Sequence, residues 1–126
     1  MTWSSVGALA LALAVLIGAF GAHSLQSRLD PYSRGVYETG VMYLFFHALG
    51  LLIVSLMPRM GVLSESRATV VCALLLAGIV LFSGSLYALA LSGARSLGAI
   101  TPLGGLCLII GWMILGFKLL KPKISG

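Results

Sequence analysis

The sequence predicts an all-α fold, an integral membrane bundle of four transmembrane helices with a short amphipathic interfacial segment between the first and second. Three observations carry this. Four apolar runs, at 3–22, 38–57, 69–91 and 101–120, each come close to the roughly 20 residues that a helix needs to cross the hydrocarbon of a bilayer. Only 9% of the residues are charged, 60% are hydrophobic and the mean hydropathy is +1.10, whereas soluble domains carry about 25% charged residues. The eight Lys and Arg fall almost entirely in the connections and the tail, where they set orientation in a membrane. Residues 1–126 therefore read as a single transmembrane domain. A net charge of +5 would suggest nucleic acid in a soluble domain; with the charges confined to loops, no nucleic-acid partner is expected.

The first run, Trp3 to Ala22, carries no charge. It lacks the basic n-region of a signal peptide and is longer than the usual h-region, so it is expected to stay as a span. Ala10, Ala14, Gly18 and Ala22 recur every fourth residue, a spacing that suits close approach of another helix. The stretch from His23 to Tyr37 is the most polar connection. Leu25, Leu29, Tyr32 and Val36 give it one apolar face, and Asp30-Pro31 reads as an N-cap followed by proline at the first helical position. His23 and Glu38 fall at the interface.

The second run, Glu38 to Met57, holds His47 near its middle. An ionisable side chain at that depth is costly against lipid and should face protein or a wet cavity. The run ends at Pro58-Arg59, and a short connection leads to the third run, Thr69 to Leu91, which contains Ser83-Gly84-Ser85-Leu86-Tyr87. Thr101-Pro102 is a second cap-plus-proline start. The fourth run then passes Gly104, Gly105 and Gly111-Trp112, with Lys118, Lys121 and Lys123 on the water side and Pro122 as a stop. Counting basic residues by side sets Arg59, Arg67, Lys118, Lys121 and Lys123 against Arg28, Arg34 and Arg95, which favours both termini in the cytoplasm.

A rise of about 1.5 Å per residue, counted from Glu38 and Leu91, puts Tyr43 level with Tyr87 and His47 level with Ser83. Tyr43 and His47 share a helix face, as do Ser83 and Tyr87, so these four form a candidate buried polar cluster. Its structural reading is a neutral imidazole fixing helix register through a hydrogen bond; its functional reading is proton relay, metal or haem binding, or substrate contact. No metal site or cofactor is expected. His23, Glu38 and His47 would supply three zinc ligands only if His47 rose by about two turns of helix. A serine nucleophile beside His47 lacks an orienting carboxylate at its depth, and no phosphate loop, HExxH or GxSxG occurs, so no catalytic residue is expected. Cys72 and Cys107 sit inside apolar runs without CxxC spacing and read as small buried hydrophobes.

Four segments in order carry a resemblance: Gly18-Ala-Phe-Gly-Ala-His23; Thr39-Gly-Val-Met-Tyr43 with His47-Ala-Leu; Leu81-Phe-Ser-Gly-Ser-Leu-Tyr87; and Ile100-Thr-Pro-Leu-Gly-Gly105 with Gly111-Trp112. The chain resembles, over nearly its whole length, the domain-of-unknown-function 423 family, whose animal members are called transmembrane protein 256. The resemblance implies a small multi-pass protein of the bacterial inner membrane and no catalytic roles. The favoured expectation is a non-enzymatic scaffold or accessory factor, with the lipid bilayer and a second copy or another membrane protein as partners. The alternative is a small oligomeric transporter or channel component using the His47 cluster; a third reading is a haem- or metal-binding membrane protein.

Overall fold

The computed structural model describes residues 2–120; Lys121, Pro122 and Lys123 lie outside the described residues. Helix starts follow local chemistry. Helix α1, Trp3–Phe20, begins at a capping box: the Thr2 hydroxyl accepts from the Ser5 backbone N–H at 3.2 Å, while Ser5 Oγ accepts from the Thr2 N–H at 3.0 Å. It runs on into a π-helical turn at Gly21–Leu25. Helix α2, Pro31–Leu56, starts where Asp30 Oδ1 accepts from the Ser33 N–H at 2.7 Å, with proline at the first helical position. Pro31 to Tyr37 is thus the continuous start of α2, as the Asp30-Pro31 pair implies. Helix α3, Glu65–Ser92, is capped by Ser64, whose hydroxyl accepts from the Arg67 N–H at 3.3 Å. A 3₁₀ turn at Arg95–Ala99 leads into α4, Thr101–Leu120.

Two turns need glycine. Gly61, φ 72°, and Gly93, φ 73°, adopt the left-handed conformation that costs other residues about 1 kcal/mol or more. Gly93 closes α3 by donating to the Leu89 carbonyl at 2.8 Å.

All four helical segments, Trp3–Leu25, Pro31–Leu56, Glu65–Ser92 and Arg95–Leu120, are long and apolar enough to cross a membrane. They pack in chain order: α1 on α2, α2 on α3 and α3 on α4. The central pair is thus α2 and α3, with α1 and α4 as flanks. Leu51, Val54, Val71, Cys72, Leu75, Leu108 and Leu115 form the core shared by α2, α3 and α4. Ala14, Leu44, Ala48 and Ile79 form a second between α1, α2 and α3. Leu25, Tyr37 and Ala90 close the far end. Leu9, Leu13, Leu16 and Phe20 on α1, and Leu103, Leu106, Met113 and Phe117 on α4, are exposed. In water such apolar flanks would be an aggregation hazard, whereas a bilayer solvates them.

Glycines set the closest approaches. On α4, Gly104 lies against the backbone of Phe82, and Gly78 of α3 lies under Leu108. On α1 the tightest point is Gly7, where an added Cβ would meet the Leu52 backbone at 3.0 Å. In the small-residue ladder, Ala14 is fully buried, Ala10 packs beside it and Gly18 faces Val41 and Phe45. Ala22 is exposed. Each four-residue step turns about 40° past a full revolution, so three steps carry Ala22 off the face that Ala10 occupies. The packed stripe instead follows Gly7, Ala14 and Gly21, seven residues apart.

Candidate functional site

The four residues expected to cluster lie in two neighbouring groups. The first is aromatic. His47 is half-buried, and its Nδ1–H donates to the carbonyl of Tyr43, one turn earlier on α2, at 2.8 Å. A carbonyl can only accept, so this bond assigns the proton to Nδ1 and leaves Nε2 as a free acceptor in the neutral ring. The Tyr43 ring stacks on His47 with centroids 5.5 Å apart, and Trp112 of α4 tilts against the other side at 5.9 Å. Tyr43 also stacks on Phe82 of α3 at 4.1 Å. Trp112 fits there because Gly50 leaves room: a Cβ at Gly50 would stand 2.5 Å from Trp112 Cη2.

The second group holds the interface of α2 and α3. Ser83 is buried, and its hydroxyl donates to the Gly40 carbonyl at 2.8 Å. Tyr87 packs flat over Gly40, where a Cβ would meet its ring at 2.6 Å, and its centroid is 5.4 Å from that of Tyr37. Its hydroxyl is buried with no partner among the described residues.

Ser83 thus meets Gly40 and not His47, and Tyr43 meets Phe82 and not Tyr87. The register differs from the sequence expectation by about one and a half to two helical turns. Depth counted from Glu38 and Leu91 assumed that both spans begin at the same level, whereas α2 begins seven residues before Glu38. Phe82, Trp112, Tyr37, Gly40 and Gly50 complete the site; Gly40, Phe82 and Trp112 fall within the segments that carry the resemblance, but nothing in hydropathy or spacing marks the aromatics as site residues. An aromatic in an apolar run looks the same whether it faces lipid or an imidazole. Gly40 and Gly50 are the exception: they flank His47 on its own helix and mark where bulky rings from α3 and α4 land.

The interfacial pair stays apart from this site. His23 is exposed at the π-helical turn. Glu38 is exposed and lines a recess of about 210 Å³ with Tyr37, Gly21 and Arg34, to which His23 does not contribute. Arg34 reaches back from α2 to donate through Nη2 to the Gln26 carbonyl at 2.7 Å. At the same membrane face the Arg95 guanidinium sits over the Tyr32 ring, 4.4 Å from its centroid. The Ser33 backbone N–H, then the Ser33 side chain, holds the Asp30 carboxyl below the usual carboxylate range, and Arg95 adds to this.

Further hydroxyls bridge helices. Tyr37 Oη donates to the Ile17 carbonyl at 2.6 Å, Ser4 and Ser55 share a hydrogen bond of 2.9 Å, and Ser85 and Thr101 one of 2.6 Å. Thr101 thus joins α4 to α3, where the sequence suggested only a cap. Cys72 is buried, with Sγ directed to the Leu51 carbonyl at 3.7 Å, and both cysteines are free. Among the described residues, no group of three or more His, Cys, Asp or Glu could hold a metal ion.

A family model described as "Protein of unknown function (DUF423)" matches residues 17–105. The chain is 45% identical over 116 residues to the UPF0382 membrane protein SERP0230 of Staphylococcus epidermidis, covering 92% of this chain and 93% of that protein. It is 44% identical over 110 residues to the UPF0382 membrane protein YwdK of Bacillus subtilis, covering 87% and 89%. A UPF0382 membrane protein of Schizosaccharomyces pombe, C1782.12c, is 43% identical over 118 residues, covering 89% of this chain and 96% of that one. No solved structure matches the chain.

Proposed function

The chain belongs to the DUF423 family of membrane proteins, and on that premise we propose that it is a non-enzymatic scaffold or accessory factor of the plasma membrane. Its flanking helices would hold a second copy or another membrane protein. The observation that carries this reading is the packing order. Helices α1 and α4 each pack mainly on one neighbour, α2 and α3 respectively, and each leaves an apolar face exposed. The hydroxyls support it too, because Ser4, Tyr37, Ser83, Ser85 and Thr101 are all engaged in bonds between helices. Such bonds fix register rather than perform chemistry.

Photo-crosslinking in intact membranes from Leu16 and Phe117, one on each flank, tests the proposal. A protein adduct of constant mass from at least one flank is expected, and adducts with lipid alone from both would refute it. The orientation follows the excess of basic residues, with both termini cytoplasmic. A Ser66→Cys label in the exposed first turn of α3 should react with a membrane-impermeant maleimide only after lysis.

A second reading rests on the Nε2 of His47, which has no hydrogen-bond partner among the described residues, in a ring packed beside Tyr43 and Trp112. It makes His47 the contact of a transported species or of a haem. Proteoliposome flux that falls in His47→Ala, or a Soret band lost in that variant, would favour it over the scaffold.

A further inference from the structure

A cleft of about 470 Å³ opens at the membrane face where α1 begins, α2 ends and α3 begins. Ser55 of α2 lines it, with Trp3, Ser4 and Val6 of α1 on one wall and Glu65, Thr69 and Leu76 of α3 on the other. Arg59, on the turn after α2, stands at the mouth. The lining changes with depth. Arg59 and Glu65 are at the level of the α3 cap and are exposed to water. Leu76 is eleven residues further along α3, about 16 Å deeper. The hydroxyls of Ser4, Ser55 and Thr69 lie between the charged mouth and the apolar bottom. Ser55 already donates to the Leu52 carbonyl, so Ser4 donates to Ser55 and its own oxygen keeps free lone pairs. Among the described residues, Arg59 and Glu65 form no ion pair with each other. A cation and a carboxylate therefore share one opening, each without an ion-pair partner among the described residues.

We propose that this cleft binds one phospholipid whose headgroup carries a phosphodiester and a primary ammonium. The phosphodiester pairs with the Arg59 guanidinium, which matches a phosphate with two parallel N–H donors. The ammonium donates to the Glu65 carboxylate. The ester region meets the hydroxyls, and the first part of an acyl chain lies along Val6 and Leu76. Trp3 sits at the depth where indole rings gather at membrane interfaces. A soluble phosphate would use only the mouth and leave the apolar half unfilled. Phosphatidylglycerol would pair the same phosphodiester with Arg59 but bring no cation to Glu65. This site is independent of the scaffold reading, since a lipid can be held whether or not a protein docks on the flanks.

Native mass spectrometry of the protein released from bilayers of equal parts phosphatidylethanolamine, phosphatidylcholine and phosphatidylglycerol tests this. Phosphatidylcholine is the critical comparison: its trimethylammonium has the same charge but no N–H to donate. The wild type should retain the ethanolamine lipid about tenfold over the choline lipid, the ratio expected of one charge-assisted hydrogen bond. Glu65→Gln should bring that ratio close to one. Arg59→Gln should lower retention of all three lipids. Arg28→Gln, on the opposite face, should change nothing. Excess free phosphoethanolamine should leave the bound lipid in place. Equal retention of ethanolamine and choline lipids by the wild type would overturn the assignment, as would a preference for phosphatidylglycerol, variants that behave like wild type, or displacement by the free headgroup. Arg59 and Glu65 are exposed and outside the core, so both variants should keep the wild-type far-UV spectrum; a lost spectrum alongside lost lipid would overturn the local role given to them.

Discussion

Replacing Gly104 by alanine should be among the most damaging single-methyl changes the chain can undergo. A Cβ at this position would press on the Phe82 backbone nitrogen and stand 2.8 Å from Phe82 Cα and 2.9 Å from the Leu81 carbonyl carbon. Carbon atoms pack at about 3.5–4.0 Å, so α4 must move away by about 1 Å to admit the methyl. The obstacle is helix backbone and cannot rotate aside as a side chain does. Separating α3 from α4 also stretches the Ser85–Thr101 bond and the Leu108–Gly78 contact, both set by the same approach. Overpacking in a close-packed interior costs about 1–3 kcal/mol, and this site belongs at the upper end, about 3 kcal/mol. Gly84 and Gly116 are the controls. Both are helical and exposed, and neither has an atom within 4 Å of an added Cβ. Alanine there should be neutral or stabilise by up to about 0.5–1 kcal/mol through its helix propensity. Unfolding in detergent, followed by far-UV circular dichroism against added SDS, should order the variants with Gly104→Ala lowest and the two controls at or above wild type. If Gly104→Ala unfolds with the controls, the close approach of α4 to α3 described above is mistaken.

Three further outcomes follow from the same geometry. Ser83→Ala removes the bond to the Gly40 carbonyl and should cost about 0.6 kcal/mol in the same unfolding assay, the average for hydrogen bonds between membrane helices, and no more than about 1.7 kcal/mol. Gly50→Ala should cost less than Gly104→Ala, because the obstructing atom is the outer edge of the Trp112 ring, which can swing away; the displaced indole should show as a shift in tryptophan emission that Gly84→Ala lacks. Asp30 has a carboxyl lowered in the folded state by Ser33, so its capping contribution is fully present above the unfolded value of about 3.9 and is lost as the pH falls through the lower folded value. Asp30→Asn should remove that part of the acid dependence, read from midpoints between about pH 5 and pH 2.

What could be read from the sequence was what local chemistry determines. Asp30-Pro31 marks a helix start because an aspartate before a proline satisfies the first turn whatever surrounds it. The four spans are legible because hydropathy is summed over about 20 residues and tolerates errors at the ends. Register between helices is a different quantity. It depends on where each helix enters the membrane, and the extra turns of α2 before Glu38 moved Tyr43 from Tyr87 to Phe82. Thr101 shows the same limit on a single side chain. Its position before a proline suits a cap, yet its hydroxyl reaches Ser85 across the α3–α4 contact, and nothing in the neighbouring residues reports that distance. The charged mouth of the cleft was hidden for a like reason: Arg59 and Glu65 lie close in sequence, on the turn after α2 and at the start of α3, but the wall opposite them comes from the start of α1.

Helix α1 shows how such a bundle is held without a hydrophobic driving force between its helices, since lipid solvates leucine as well as leucine does. Close contact at Gly7, Ala14 and Gly21 supplies dispersion, but a smooth stripe of small residues permits sliding. Two hydrogen bonds to α2 prevent it: Ser4 with Ser55 at one end and Tyr37 with the Ile17 carbonyl at the other. Thirteen residues separate Ser4 from Ile17, or about 20 Å along the helix, well beyond the 7–10 Å within which substitutions usually couple. If the two bonds act only as separate local contacts, Ser4→Ala and Tyr37→Phe should each cost about 0.6–1.7 kcal/mol and add in the double variant within about 0.5 kcal/mol. If they act as pins on one sliding helix, the first loss leaves register intact and the second releases it, so the double variant should cost more than the sum. The continuous fit of Gly7 against the Leu52 backbone at 3.0 Å is a third lock that neither substitution touches, and it favours simple additivity. A double variant that loses more than the sum by over about 1 kcal/mol would show that the hydrogen bonds, and not the glycine contact, set where α1 sits.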